Sequence, residues 1–121
     1  MIYCFDIDGT LCSKTDGDYA QAEPFHERIA VVNTLHSAGH TIKLFTARGT
    51  TTGTDWRAVT QAQMQAWNVR YHELIMGKPE ADIFIDDKAF NADNWDWTRH
   101  ETADTRRPAG IAGGASSTRE R

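Results

Sequence analysis

Four aspartates mark the positions in this chain whose residue type and spacing could do chemistry. Asp6 and Asp8 follow a short apolar run and precede Gly-Thr, and Asp86 and Asp87 follow a second apolar run. Four carboxylates brought to one place would repel one another, and several would take up protons, unless a cation joined them. Oxygen-only ligands of this kind suit a hard ion, and Mg²⁺ takes one or two carboxylates and keeps its waters. The four residues therefore predict a Mg²⁺ site.

Three further residues complete a set that could bind a phosphate group. Lys78 precedes Pro79, Thr46 ends a β-branched and aromatic run, and Arg48 follows two residues later. Mg²⁺ and Lys78 together would attract phosphate, with Thr46 and backbone N–H groups as additional donors. Two interpretations of Arg48 stay open: it binds the phosphate or sugar of a substrate, or it pairs with a surface acid.

The elements that must position these residues follow from the hydrophobic pattern. Apolar and β-branched runs predict four strands, at residues 2–5, 41–46, 71–76 and 81–86. Helical spacing predicts two helices, one from Pro24 to a stop at Gly39 and one from Thr54 to about Trp67. The order strand–helix–strand–helix–strand–strand is typical of a Rossmann-like open parallel α/β sheet. Ligands bind outside the carboxyl ends of such strands, which is where every candidate residue falls.

Length, charge and cysteine usage bound the class of protein. The 121 residues fit one domain, predicted over residues 1–100, and the Gly-rich polar residues 101–121 predict a flexible tail. The net charge of -4 argues against a nucleic-acid partner, and no apolar run approaches the roughly 20 residues of a membrane-spanning helix. The N-terminus has no basic region followed by an apolar segment, and Cys4 and Cys12 form no CxxC pair, so a reduced cytoplasmic protein is expected.

The candidate residues lie in four short motifs: "DIDGT" at residues 6–10, Thr46 within "FTAR", Lys78 within "GKP", and "IDD" at residues 85–87. In order and spacing they resemble the four motifs of the haloacid dehalogenase-like (HAD) phosphatase superfamily, over residues 1–90. Within it, "HTIKLFTARG" and "HELIMGKPEADIFIDDKA" resemble the small phosphatases associated with capsule and surface-polysaccharide biosynthesis. The resemblance implies a HAD-like fold and a phosphoric monoester hydrolase.

The resemblance also implies a role for each residue that meets the phosphoryl group. Asp6 would be the nucleophile and form an aspartyl-phosphate intermediate. Asp8 would protonate the leaving oxygen and then activate water. Thr46 would hydrogen-bond the transferring phosphoryl group, and Lys78 would offset its charge and that of Asp6.

The same resemblance implies how Mg²⁺ would be held. Asp86 would bind the ion together with the Asp6 carboxylate and the backbone carbonyl of Asp8, and Asp87 would support it directly or through water. The ion and Lys78 would then let a negatively charged nucleophile approach a phosphate dianion.

Members of the superfamily often carry a cap domain, inserted after the first motif or between the second and third. Residues 9–23 are too few for a folded insert, and residues 47–77 are used by the second helix and third strand, so a capless enzyme is expected. An open site would be covered by a large substrate or by a neighbouring subunit. The second is preferred because it suits a small sugar phosphate, and it predicts a homo-oligomer with the tail or the Trp95 and Trp97 region at the interface.

Two other functions remain open. One is a phosphatase acting on a nucleotide or a nucleic-acid end, which the acidic balance does not favour. The other is a nonenzymatic, phosphate-responsive binding module that is phosphorylated on Asp6 like a signalling receiver and turns over slowly. A receiver has no need of an acid placed to protonate a leaving group, so the presence of Asp8 favours the enzyme.

Overall fold

A three-stranded parallel sheet forms the centre of the computed structural model, which describes residues 1–98. The strands lie in the order β1-β2-β3, with bounds Ile2–Phe5, Thr41–Thr46 and Glu73–Met76. Helix α1 (His26–Ser37) connects β1 to β2, and helix α2 (Arg57–Ala66) connects β2 to β3. The predicted Rossmann-like open parallel α/β sheet is confirmed. The segment between β1 and α1 holds one 3₁₀ turn (Tyr19–Gln21), and the described residues contain no folded cap.

The core lies on one face of the sheet. In β2 the side chains of Ile42, Leu44 and Thr46 are buried and alternate with half-buried neighbours, as expected for residues that point to opposite faces of a strand. Parallel strands in sequence order with right-handed crossovers place both helices on the same face. Both helices bury apolar residues in the same cluster: Ile29, Val32, Leu35 and Met64. Because all three strands pair in parallel, their carboxyl ends lie at one edge of the sheet.

Both helices begin two or three residues later than the sequence predicts. Before α1, the N–H of Phe25 donates to the Leu11 carbonyl at 2.8 Å, so the chain at Pro24 is still bonded to the segment after β1. Before α2, the N–H of Arg57 donates to Asp55 Oδ1 at 3.0 Å, which forms a side-chain turn in place of the first helical residues. A hydrogen bond to a distant segment therefore sets the start of α1, and a local one sets the start of α2.

The helix ends follow the prediction, whereas β3 is shorter than predicted. Gly39 and Asn68 follow the two helices in the left-handed conformation, with φ of 97° and 59°. At the start of β3, His72 Nδ1 accepts the N–H of Ile42 at 3.0 Å. The backbone N–H of His72 donates to the Ile42 carbonyl at 2.8 Å, so the His72 side chain replaces only the carbonyl that would accept the N–H of Ile42. The strand β3 begins at the next residue.

The predicted fourth strand, residues 81–86, is wrong, because this segment pairs with no strand. Ile83 is 77% and Ile85 is 96% exposed, and every residue from 79 to 91 is exposed. A parallel strand needs a crossover of roughly a dozen residues or more, and only residues 77–80 lie between β3 and this segment. The connection is too short to return the chain to the other end of the sheet, so the strand propensity is not satisfied.

The aromatic residues near the end of the described chain belong to the core rather than to a pocket. The ring centroids of Trp95 and Trp97 each lie 5.9 Å from that of Phe5 on β1. The guanidinium carbon of Arg28 lies 4.9 Å from the Trp97 ring centroid, and Trp97 Nε1 donates to the Ala92 carbonyl at 2.8 Å. These contacts cover the helix-bearing face of β1.

Two predictions concern the ends and surroundings of the domain. The predicted tail, residues 101–121, lies outside the described residues. Within residues 1–98, none of the helices has the length and apolar character that crossing a membrane requires.

Candidate functional site

A cavity of about 600 Å³ opens at the carboxyl edge of the sheet. It is lined by Asp6 and Asp8 and by residues of three segments: 14–19 after β1, 47–56 after β2 and 78–84 after β3. Each strand of the parallel sheet thus delivers the segment that follows it to one place, as the ligand sites of open α/β sheets do.

Asp6 faces a lysine from the segment after β3. Lys78 Nζ lies 3.5 Å from Asp6 Oδ1, and the two side chains are 21% and 34% exposed. Lys78 is held there because its N–H donates to the Thr46 carbonyl at 3.0 Å, after a turn at Gly77 whose φ of 94° favours glycine. Burial raises the pKa of the Asp6 carboxyl, and the charge of Lys78 lowers it in part. A carboxylate and an ammonium group therefore share the wall of the cavity.

Asp8 is paired with a buried arginine. Arg48 Nε donates to Asp8 Oδ2 and Arg48 Nη2 donates to Asp8 Oδ1, each at 2.9 Å. The Arg48 side chain is 0% exposed, whereas that of Asp8 is 21% exposed. The structure gives Arg48 a partner that neither interpretation of the sequence named, an acid of the candidate site itself.

Thr46 lies beneath the cavity rather than on its wall. It is buried and is not among the lining residues, and its Oγ1 accepts the N–H of Arg48 at 3.1 Å. This bond closes the turn after β2, from which Arg48 reaches Asp8. The contact of Thr46 with a phosphoryl group stays a prediction.

Asp86 and Asp87 lie outside the cavity. Both are exposed, neither lines the cavity, and Asp86 Oδ1 accepts the N–H of Lys88 at 2.8 Å. Within residues 1–98, no three His, Cys, Asp or Glu side chains are grouped so that they could hold a metal ion. The described structure therefore does not assemble the predicted set of four carboxylates. The donors as placed do not fit Mg²⁺, and the ion stays a prediction.

Three residues at the site escape the sequence prediction. Thr60 and Gln63 of α2 accept hydrogen bonds from Arg48 Nη1, and the Tyr19 ring centroid lies 4.8 Å from the guanidinium carbon. The signal available for Gln63 was a polar residue in a helical stripe that is otherwise mostly apolar. Tyr19 lies in a polar loop, whose position depends on the fold and which carried no such signal.

The segments after β2 and β3 are joined at the rim of the cavity. Thr50 Oγ1 donates to the Lys78 carbonyl at 2.9 Å, and Thr51 Oγ1 donates to Glu80 Oε1 at 2.6 Å. These two bonds connect loops that are distant in sequence. They hold the backbone of Lys78 in place and so keep its ammonium group opposite Asp6.

The chain matches no protein-family model and no curated protein. Solved structures do match. A crystal structure of an MCSG target from Vibrio cholerae is 23% identical with a TM-score of 0.72, and the match covers 83% of this chain and 89% of that one. A structure of a Pnkp1/Rnl/Hen1 complex is 20% identical with a TM-score of 0.52, and the match covers 71% of this chain and 30% of that one. At these identities the likeness shows the α/β fold alone.

Proposed function

We propose that this protein is a HAD-like phosphomonoester hydrolase that acts through an aspartyl-phosphate intermediate on Asp6. The supporting observation is the pairing of Asp6 with Lys78, 3.5 Å apart on the wall of a cavity that Asp8 also lines. A phosphate dianion needs a fixed cation to offset its charge, and a carboxylate nucleophile needs one to approach that dianion. Lys78 meets both needs from one position.

The reaction proceeds in two steps at the phosphorus atom. In the first, a carboxylate oxygen of Asp6 attacks phosphorus, and the bond to the leaving oxygen breaks as that oxygen takes the proton of Asp8. Asp8 enters this step as the neutral acid and leaves it as the carboxylate that Arg48 binds. In the second, Asp8 takes a proton from water, the water oxygen attacks phosphorus, and the bond to Asp6 breaks. Inorganic phosphate leaves and both aspartates return to their starting states. Lys78 stays beside Asp6 throughout and offsets the charge of the phosphoryl group.

We propose that the activity requires a divalent cation, but we assign no set of ligands to it. The resemblance of the four motifs to HAD phosphatases supports Mg²⁺. Because Asp86 and Asp87 lie outside the cavity, no step of the reaction is assigned to the ion.

The walls of the cavity favour a small, hydroxyl-rich substrate such as a sugar phosphate. Its volume of about 600 Å³ falls within the range of small-molecule sites, roughly 300–1,000 Å³. The lining offers hydroxyl and carboxylate groups that can bond sugar hydroxyls, from Thr51, Thr52, Thr54 and Glu80, and Trp56 adds an aromatic surface. Nucleotides and nucleic-acid ends are weaker candidates, because the carboxylate of Glu80 opposes a polyanion.

A cytoplasmic location and a homo-oligomer are part of the same proposal. Cys4 and Cys12 are both free thiols, which supports a reducing compartment. On the sheet face opposite the helices, Ile2 is 68% exposed and Cys4 is also exposed, which supports a covering subunit.

Phosphate release from sugar phosphates, nucleotides and phosphorylated oligonucleotides, with Mg²⁺ and with a chelator, tests the proposal. We expect release from a sugar phosphate with Mg²⁺, none from Asp6→Asn, and unchanged release from the control Asp93→Asn, since Asp93 is exposed and pairs with Arg28. Activity that is indifferent to the chelator would contradict the metal requirement. A preference for oligonucleotide ends would overturn the substrate class, and activity retained by Asp6→Asn would overturn the nucleophile.

A further inference from the structure

We infer that Arg48 is a positioning residue, whose buried guanidinium group is held by helix α2 and fixes the carboxylate of Asp8. The inference rests on the proposed function, in which Asp8 transfers protons. It also removes Arg48 from the set of substrate ligands that the sequence predicts.

All five N–H groups of the Arg48 guanidinium have acceptors inside the protein. Nε and one N–H of Nη2 donate to the two oxygens of Asp8 at 2.9 Å. Nη1 donates to Thr60 Oγ1 at 3.1 Å and to Gln63 Oε1 at 2.5 Å, and the second N–H of Nη2 points to Cys12 Sγ at 3.8 Å. Since a guanidinium has five donors and no acceptor, none is left for a substrate phosphate.

The guanidinium group is also buried, although Arg48 is among the residues that line the cavity. Its side chain is 0% exposed, and the ring of Tyr19 covers it at 4.8 Å. Gln63 Nε2 donates to the Tyr19 carbonyl at 2.6 Å, so the same glutamine holds the arginine and its cover. A buried ion pair is tolerated only when its remaining donors are satisfied, and here they are.

This arrangement ties the orientation of Asp8 to α2. Both oxygens of the carboxylate are engaged by a planar fork, which sets the plane of the carboxylate as well as its position. Thr60 and Gln63 lie on α2, so the placement of that helix determines where Asp8 meets the leaving oxygen and the attacking water. A misplacement of about 1 Å at such a group costs about a hundredfold in rate.

Steady-state kinetics on one sugar phosphate test the inference with two variants and a control. Arg48→Lys keeps the charge and loses the fork, so we expect kcat to fall about a hundredfold while KM changes by less than about threefold. Gln63→Met removes one support of the guanidinium, and we expect kcat to fall about fivefold with KM unchanged. Arg70→Lys should behave as the wild type, since Arg70 bonds Ser37 away from the cavity. Methylguanidine should restore part of the kcat of Arg48→Ala.

The outcomes separate this inference from the proposed function. A raised KM with unchanged kcat in Arg48→Lys would make Arg48 a substrate ligand and overturn the inference, while the phosphatase proposal stands. Wild-type kinetics in Arg48→Lys would overturn it as well. Thermal unfolding is measured for each variant, and if Arg48→Lys does not fold, an unchanged kcat in folded Gln63→Met overturns the inference. A wild type inactive on the whole panel would remove the proposed function and the inference with it.

Discussion

The two acidic pairs that the sequence assigns to one site lie in regions of opposite character. Asp8 is bonded to Arg48, 40 residues away in the chain, at the edge of a packed core. Asp86 accepts a hydrogen bond from Lys88, two residues away, within a stretch of the chain (residues 79–91) in which every residue is exposed. Contacts between distant segments fix a side chain in space, whereas a local turn fixes it only relative to its neighbours. A motif therefore marks candidate residues, and the packing around each one decides whether they meet.

The largest effect is expected from Asp8→Ala, in the packed region. Loss of a general acid and base costs roughly 10² to 10⁴ in rate, and we expect kcat to fall about a thousandfold. Because the second step also needs Asp8, phosphoenzyme on Asp6 should accumulate with an activated aryl phosphate. Acid quench followed by intact-protein mass spectrometry measures it. Unchanged turnover in Asp8→Ala, or no trapped phosphoryl group with an activated substrate, would contradict the role of Asp8.

Two matched truncations, one in the packed core and one in the exposed stretch, compare the two regions by the free energy of unfolding that each loses. Leu44 is fully buried in β2, and Leu44→Ala should lower the free energy of unfolding by about 3 kcal/mol, as cavities in packed cores do. Ile85 is 96% exposed, so Ile85→Ala should change it by less than about 0.5 kcal/mol. Urea unfolding monitored by tryptophan fluorescence gives both values. A large loss in Ile85→Ala would mean that the exposed stretch is packed in solution.

The strands that the sequence predicts well are those where local propensity and topology agree. The predicted bounds of β1 and β2 match the structure, because each alternates or runs apolar and is followed by a connection long enough for a helix. Residues 81–86 have the same strand propensity, but only four residues connect them to the end of β3. The length of that connection was visible in the sequence, and it outweighs the β-branched composition.

The candidate site was predictable to a different extent. Asp6 and Lys78 could be placed at one edge because both follow strands of a parallel sheet. The contacts of Arg48 with Thr60 and Gln63 could not be predicted. Both residues lie on a helix whose rotation about its axis is set by tertiary packing. Sequence spacing indicates which residues a helix face carries, and only the packed structure shows which side chain that face meets.

A smaller, several-fold effect is expected of Mg²⁺ on the exposed stretch. Asp86 and Asp87 can serve as ligands beside Asp6 only if the chain around them moves toward the cavity. If the metal prediction holds, Mg²⁺ should slow amide hydrogen exchange of residues 82–87 several-fold, because an anchored segment opens less often. Hydrogen–deuterium exchange with mass spectrometry, with and without the ion, measures this.

Asp86→Asn should abolish that protection. The control Asp93→Asn should keep it, since Asp93 is exposed, pairs with Arg28 and does not line the cavity. Mg²⁺-dependent activity without any change in the exchange of residues 82–87 would mean that other groups hold the ion. Asp86 and Asp87 would then stay outside the cavity when the ion is bound, apart from Asp6 and Asp8.

The smallest effect concerns the ionisation of Asp6. Burial raises the pKa of this carboxyl above its ordinary value of 3.8, and the nearby Lys78 lowers it in part. We therefore expect a pKa above 3.8 in the wild type and a further rise in Lys78→Met, because that variant removes the charge that lowers the pKa. The control Lys43→Met should leave it unchanged, since Lys43 pairs with Glu73 on the sheet. Titration of the carboxyl carbon by NMR in metal-free buffer measures all three.

The same shift has a consequence for stability whose sign is fixed. The folded protein holds the Asp6 proton to a higher pH than the unfolded chain, so ionisation opposes folding. The contribution of the Asp6 carboxyl to the free energy of unfolding is greatest below pH 3.8, and it is lost as the pH rises through the pKa of the folded state. Asp6→Asn lacks this loss, so its stability relative to the wild type should increase across that window. If urea unfolding gave a constant difference in the free energy of unfolding between the two proteins across this pH window, Asp6 would be as well solvated as an exposed aspartate. Lys78 would then offset a carboxylate charge that the fold does not bury.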